Sequence, residues 1–335
     1  MKKSGLLIII FLLGFSCFRR QDYDITAPEI PVYSVSGRII SSLDRTPVGN
    51  ALVSFYGGAN DIFINMEVIT DSSGLFTFSQ VPGGYGYQLA VEKQGYQISS
   101  TIWNVDYADK STGDIVLGKW LVEEATFYYD TRIFTGIVRV EPHLILLTTE
   151  FDVLQLNEDM SVQNSGSLKN MRPSGLAWDG SNFWTSDTVN HKLVKFEILN
   201  NGTPSIIEQI PLPKNPYRPS QFLNLRDVFW HGDLMLACGS EIGKKFCRFD
   251  PYKTGELSLF DSPELTHRPV AITGSVTNLY LQCRNYQDIK LYLLDQKYNT
   301  RGYLIVPEMD GRITVDSSIL WFARENYIKV FRIPR

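Results

Sequence analysis

Residues 173–196 read PSGLAWDGSNFWTSDTVNHKLVKF, and this stretch decides the architecture. It holds three β-patterns in a row, SGLAW, NFWTSD and KLVKF, separated by Asp179-Gly180 and by the segment Asp187–His191. Short apolar runs bounded by Gly, Asn and Asp read as strands joined by turns. The unit opens on Arg172-Pro173, and the Arg-Pro pair recurs at Arg218-Pro219 and Arg268-Pro269. A period of about 46 to 50 residues suits one four-stranded blade per repeat, and so a radial β-scaffold. Such scaffolds host enzymes and binding proteins alike.

Working outward, five repeats can be drawn from Thr135 to the C-terminus. Their first two strands read GIVRV/LILLTT, SGLAW/NFWTSD, FLNLRDVFW/DLMLACG, PVAIT/NLYLQC and RITVD/ILWFAR. Third strands follow at 153–156, 192–198, 245–249, 290–294 and 327–333. The last repeat stops after its third strand, while a surplus apolar strand, Ala125 to Tyr129, precedes the first repeat. Pairing that segment into the last blade would close the ring and remove two open sheet edges. An open fan, or a six-bladed ring with a hidden repeat, is the competing arrangement. The expected fold is all-β, with a five-bladed propeller over residues 122–335.

Before the propeller, short strands recur between 33 and 118 with turns at Asp71-Ser72-Ser73-Gly74, Pro82-Gly83-Gly84 and Gly95-Tyr96. Six or seven strands at this spacing predict a β-sandwich. Alternation in Leu75-Phe76-Thr77-Phe78 puts both rings on one face. Gly74 suits a tight hairpin with positive φ, and Asp71 is a turn residue rather than a catalytic acid.

The N-terminus has the form of a secretory signal: Lys2-Lys3, an apolar run to Phe15, then Ser16-Cys17. Gly14-x-Ser16 satisfies an ordinary signal peptidase. Leu13-Gly14-Phe15-Ser16-Cys17 resembles a bacterial lipobox, which implies Cys17 as a lipidated first residue and is the favoured reading. Residues 18–32, polar and with two prolines, are expected to be a tether. The partner implied is thus a membrane, and the expected location is the cell envelope of a bacterium, at the outer membrane. Net charge is -4 and the pI about 5.7, so no basic field invites nucleic acid.

VSGRI at Val35–Ile39, GNALV at Gly49–Val53, TDSSGLFTF at Thr70–Phe78, VPGGYGYQLAV at Val81–Val91 and Gly95-Tyr96 together resemble the carboxypeptidase regulatory-like, or transthyretin-like, domain. The resemblance implies an accessory module. The repeat at 174–196 resembles NHL-type propellers. Its Leu176-Ala177-Trp178-Asp179-Gly180 core is similar to that of glutamine cyclotransferases. That family carries a Glu before the Gly of this strand; Pro173-Ser174 stand there instead, which counts against cyclase chemistry. Gluconolactonase-like propellers hold a divalent metal with acidic and Asn side chains, and here only Asp187 occupies a comparable loop end.

Arg172, Arg218, Arg268 and Arg312 each open an inner-strand pattern. Converging at one channel mouth, they would attract a carboxylate, phosphate or sulfated sugar, since guanidinium forks such groups bidentately. The competing reading makes Arg-Pro a structural device that starts a blade. Asp187, His191 and Arg284 lie in loops of the same face and complete the candidate ligand-binding set. His143 and His231 fall at turns on the opposite face, and all four histidines are expected at surfaces or turns. No HxH or HExxH spacing occurs, and no GxSxG or phosphate-binding loop. No catalytic residue, metal or cofactor is therefore assigned. Trp178, Trp184, Trp230 and Trp321 are expected between blades, and Trp103 and Trp120 at the domain junction. A two-residue turn at Ile242-Gly243 would set Cys238 opposite Cys247, with Cα atoms about 4.5 Å apart, within reach of a disulfide. Cys283 would stay free.

The expected function is a membrane-anchored, non-catalytic binding protein whose propeller face recognises a protein, peptide or glycan. The alternative is an extracytoplasmic enzyme of cyclotransferase or lactonase type.

Overall fold

A computed structural model describes residues 31–59, 62–83, 85–130, 132–239, 241–253, 256–264, 266–275, 277–286, 288–307 and 311–334. The leader, Cys17 and the tether up to residue 30 lie outside the described residues.

The first unit is a sandwich of two sheets. In one, Val32–Ser41 runs between Leu75–Pro82 and Lys110–Leu117, antiparallel to the former and parallel to the latter. In the other, the order is Ile62–Ile69, Leu52–Ala59, Tyr85–Glu92, Ser99–Val105, all antiparallel. Alternation works as expected: Phe76 and Phe78 are buried while Leu75 is half exposed. Phe55 stacks between Tyr87 and Phe78, with ring centroids at 4.7 and 5.4 Å. Burying such a ring contributes about 2–3 kcal/mol. Gly74 has φ +73°, and a Cβ there would sit 2.4 Å from the carbonyl oxygen of Ile39, so only glycine fits. Asp71 accepts bonds from the amides of Ser73 (2.8 Å) and Leu75 (2.9 Å), as a turn residue does.

The second unit is a propeller. Blade 1 comprises Phe134–Val140, His143–Thr148, Asp152–Leu156 and Val162–Ser167; blade 2, Pro173–Trp178, Phe183–Asp187, Lys192–Ile198 and Pro204–Pro211. Blade 3 comprises Leu225–His231, Leu234–Gly239, Lys245–Phe249 and Leu257–Asp261; blade 4, Arg268–Gly274, Leu279–Arg284, Ile289–Leu294 and Thr300–Ile305. Blade 5 takes Arg312–Asp316, Ile319–Arg324 and Tyr327–Arg332 from the C-terminus and Val122–Tyr128 as its outermost strand. The segment before the first repeat thus completes the last blade. The innermost strands neighbour one another cyclically, blade 5 returning to blade 1.

Both faces of each blade are buried, which is why strands such as LILLT read as continuous apolar runs. Leu144 and Leu146 face blade 5, with Ala323 and Ile328. Ile145 and Leu147, one step out of phase, face blade 2, with Leu176, Val194 and Phe196. Trp184 is fully buried between blades 2 and 3, stacked on Trp230 at 5.4 Å, and its indole N–H donates to Asp179 at 2.7 Å.

The two units share a core. Leu43 and Leu121 join the apolar cluster between blades 4 and 5. Lys119–Trp120 adds in parallel to the outer strand of blade 4. Ser42 donates from Oγ to the carbonyl of Tyr303 (2.7 Å) and accepts the Tyr303 amide on its own carbonyl (2.9 Å). Trp103 packs instead on the sandwich core.

Candidate functional site

The face on which the innermost strands begin also carries the loops between second and third strands; here it is called the upper face. Arg172 immediately precedes the inner strand of blade 2, and Arg268 and Arg312 open those of blades 4 and 5. Arg218 does not open a blade. Lys214–Asn215 and Arg218–Phe222 form a separate hairpin, and blade 3 begins only at Leu225. Three prolines in 213–219 lack the N–H a continuous ladder requires, so this stretch folds as an insertion.

The four arginines divide by role. Arg312 turns to the axis: its Nε donates to the carbonyl of Thr135 in blade 1 (2.8 Å), and one terminal nitrogen lies 3.5 Å from Ser174 Oγ in blade 2. Its charge also acts on Asp227 of blade 3, a fully buried carboxyl whose Oδ2 accepts the amide of Ile272 in blade 4 (3.0 Å). Burial pushes the Asp227 carboxyl up to about 7, against the opposing pull of Arg312 and of the backbone amides of Ile272 and Val228. One polar network thus touches every blade. Among the described residues, the guanidiniums of Arg172, Arg218 and Arg268 make no hydrogen bond or ion pair, and all three side chains are exposed.

Arg218 lies in a cavity of about 680 Å³ with Lys244, Lys245, Tyr217, Asn215, Glu241, Ile242, Gly243 and Asp261. Lys245 pairs with Asp261, while Lys244 has no acidic partner among the described residues. Arg268 lies directly across the strand pair from Arg284. Asp187 is 2 % exposed and closes its own loop. Burial opposes its ionisation, but bonds from the Arg172 amide, the Asn190 side chain and the Asn190 and Val189 amides outweigh this. They hold the carboxyl below its usual range. His191 is exposed, in the left-handed region with φ 53°, and stacks on Phe222 of the hairpin at 5.6 Å.

Two further expectations differ from what the structure holds. Cys238 and Cys247 are free thiols. The observed register sets Cys238 opposite Phe246 and Ala237 opposite Cys247. The one-residue slip puts the sulfurs on opposite faces of the blade, Cys238 toward blade 4 and Cys247 toward blade 2. Cys283 is also free, and burial pushes Cys247 and Cys283 up to about 12. His267 is not a surface histidine: it is 2 % exposed, with Nε2 2.9 Å from Asp288 and Nδ1 3.1 Å from Glu264. Lys290 in turn binds Glu264 at 2.8 Å, so the cluster ties the blade 3–4 connection onto a blade 4 loop. Among the described residues no group of three or more His, Cys, Asp or Glu is placed to hold a metal ion.

Residues 34–118 match the carboxypeptidase regulatory-like domain family. No curated protein matches the chain. Among solved structures, glutaminyl cyclase of Myxococcus xanthus is similar at 12% identity and TM-score 0.49, over 64% of this chain and 95% of that one. A gluconolactonase of Xanthomonas campestris is similar at 12% identity and TM-score 0.40, over 62% and 88%. Virginiamycin B lyase of Staphylococcus aureus is similar at 14% identity and TM-score 0.36, over 92% and 97%. At these scores the propeller rests on its own sheet order.

Proposed function

We propose that the chain is a non-catalytic binding protein, held at a cell-envelope membrane through a lipidated Cys17, whose upper propeller face takes an anionic peptide or glycan. The observation that carries this reading is the cavity around Arg218 and Lys244, where exposed cations stand without acidic partners. A guanidinium already bridged is unavailable; these are free to fork a carboxylate or sulfate. The enzyme alternative would lean on Asp227, the carboxyl raised toward neutrality. At 3 % exposure and bonded to a neighbouring blade, it is engaged in holding the ring.

The test is binding of a heparin oligosaccharide and of a poly-glutamate peptide, measured at low and high salt. The Arg218→Ala/Lys244→Ala double variant should weaken binding about tenfold, equivalent to about 1.4 kcal/mol, with an unchanged melting temperature. Exposed charges are screened, so affinity should fall with salt. If neither probe binds wild type, or the variant binds as tightly, the reading fails. For the anchor, Cys17→Ser should move the protein from the membrane fraction to the soluble one. A wild type that is already soluble would refute lipidation.

A further inference from the structure

The sandwich leaves one apolar strand edge without a guard. Ile62–Ile69, with sequence IFINMEVI, ends its sheet and pairs on one side only, with Leu52–Ala59. Phe63 is 74% exposed and Ile69 63%. The strand holds no proline and a single charge, Glu67. Two of the sandwich's other edges are blunted in ways that discourage pairing. The third, Ser99–Val105, is the more polar strand, with Ser99, Ser100, Thr101 and Asn104 at four of its seven positions. Leu75–Pro82 ends in proline and has Gln80 at φ 62°. Lys110–Leu117 is broken by a register shift and by Gly113 at φ 68°.

Backbone direction follows from the register. Thr70 donates its amide to the Ala51 carbonyl at 2.9 Å. Alternation then makes Val68–Val53, Met66–Phe55 and Ile64–Gly57 the hydrogen-bonded pairs. The amides and carbonyls of Phe63, Asn65, Glu67 and Ile69 therefore point away from the sheet. Those four side chains share the outer face, and Ile64, Met66 and Val68 lean on the sandwich core.

We propose that this edge pairs antiparallel with the same strand of a second copy, about a two-fold axis at Met66. Residues directly opposite in such a pair share a face, so only axes that keep parity are allowed. An axis at Met66 sets Phe63 against Ile69 and Asn65 against Glu67 on the outer face. On the inner face it sets Ile64 against Val68 and Met66 against itself. From Phe63 to Ile69 every apolar side chain then meets an apolar one. An axis at Asn65 would instead set Phe63 against Glu67. The Met66 register joins the outward backbone groups in about eight hydrogen bonds and makes one continuous eight-stranded sheet. It is isologous and self-closing, so it ends at the dimer.

The test uses the full chain carrying Cys17→Ser, in which Cys238, Cys247 and Cys283 are buried. Sedimentation equilibrium should give twice the monomer mass, and Phe63→Lys, at an exposed position, should return it to a folded monomer whose melting temperature no longer rises with protein concentration. In the proposed register Met66 faces its own copy as a non-hydrogen-bonded pair, with Cα atoms about 4.5 Å apart. Met66→Cys should therefore cross-link under mild oxidation, and Asn65→Cys should not. A wild type that stays monomeric at about 100 μM overturns the proposal. So does cross-linking through Asn65→Cys but not Met66→Cys, or a Phe63→Lys variant that remains a dimer.

Discussion

Replacing Val122–Tyr128 by a Gly/Ser linker of equal length is expected to abolish cooperative folding of the propeller. The segment pairs with Tyr327–Arg332 from Val122–Arg332 to Tyr128–Tyr327, supported by Lys329–Glu123 at 2.8 Å. It also ties the start of the ring to its last blade. Without it blade 5 keeps three strands, and the edge of Tyr327–Arg332 is left open to pair with other chains. The expected readout is loss of the sharp thermal transition together with aggregation. Grafting the same seven residues behind Arg335 through a short turn should restore folding, because an antiparallel outer strand can be reached from that end as well. A linker variant that melts like wild type would show that the ring does not need this strand. Failure of the graft would show that its position in the chain, and not its pairing, is what matters.

Arg312→Ala is expected to cost about 3–5 kcal/mol near pH 8, because it strips a buried carboxylate of a nearby countercharge and removes the bond to Thr135. The pH dependence fixes the mechanism. Asp227 sits at about 7 in the folded protein against 3.8 as the free side chain. Folding therefore disfavours its ionised form. This carboxyl imposes no penalty below about pH 4, and the penalty grows as pH rises toward 7 and is complete above it, on the order of 4 kcal/mol. Asp187 and Asp179, held below their usual range, act in the opposite sense and lose their contribution only in acid. Stability should thus be highest near about pH 4 to 5 and fall as pH rises from there. Asp227→Asn should flatten the decline from pH 5 to 8. Arg312→Ala should steepen it, since losing the arginine raises Asp227 further. Melting temperatures of the three proteins across that range are the measurement. An Arg312→Ala variant equally destabilised at pH 5 and pH 8 would place Asp227 outside the network.

The repeat strands were legible because period-2 patterns and turn residues are local properties of the chain. The segment 192–198 and the hairpin around Gly74 could be drawn from sequence to the residue. The role of the segment 125–129 was legible too, since a repeat lacking a fourth strand implies a partner elsewhere; the strand itself begins three residues earlier and spans Val122–Tyr128. The arginines were not. Arg172, Arg218, Arg268 and Arg312 look alike in sequence, but only the ring brings Arg312 within reach of Thr135 and Ser174, and only the insertion 214–222 carries Arg218 away from a blade start and beside Lys244. Arg226-Asp227, a charged pair inside an apolar strand, was the one local sign of a buried polar network.

Cys238 and Cys247 show the same limit from the other side. Their spacing allowed a bridge, and a one-residue difference in register turned them to opposite faces. The sequence by itself determined the strands, their turns and the chain's division into sandwich and ring, because propensity and alternation act over a few residues. The tertiary structure decided which charges are spent inside and which remain for a ligand, because burial and pairing depend on residues tens to hundreds of positions away.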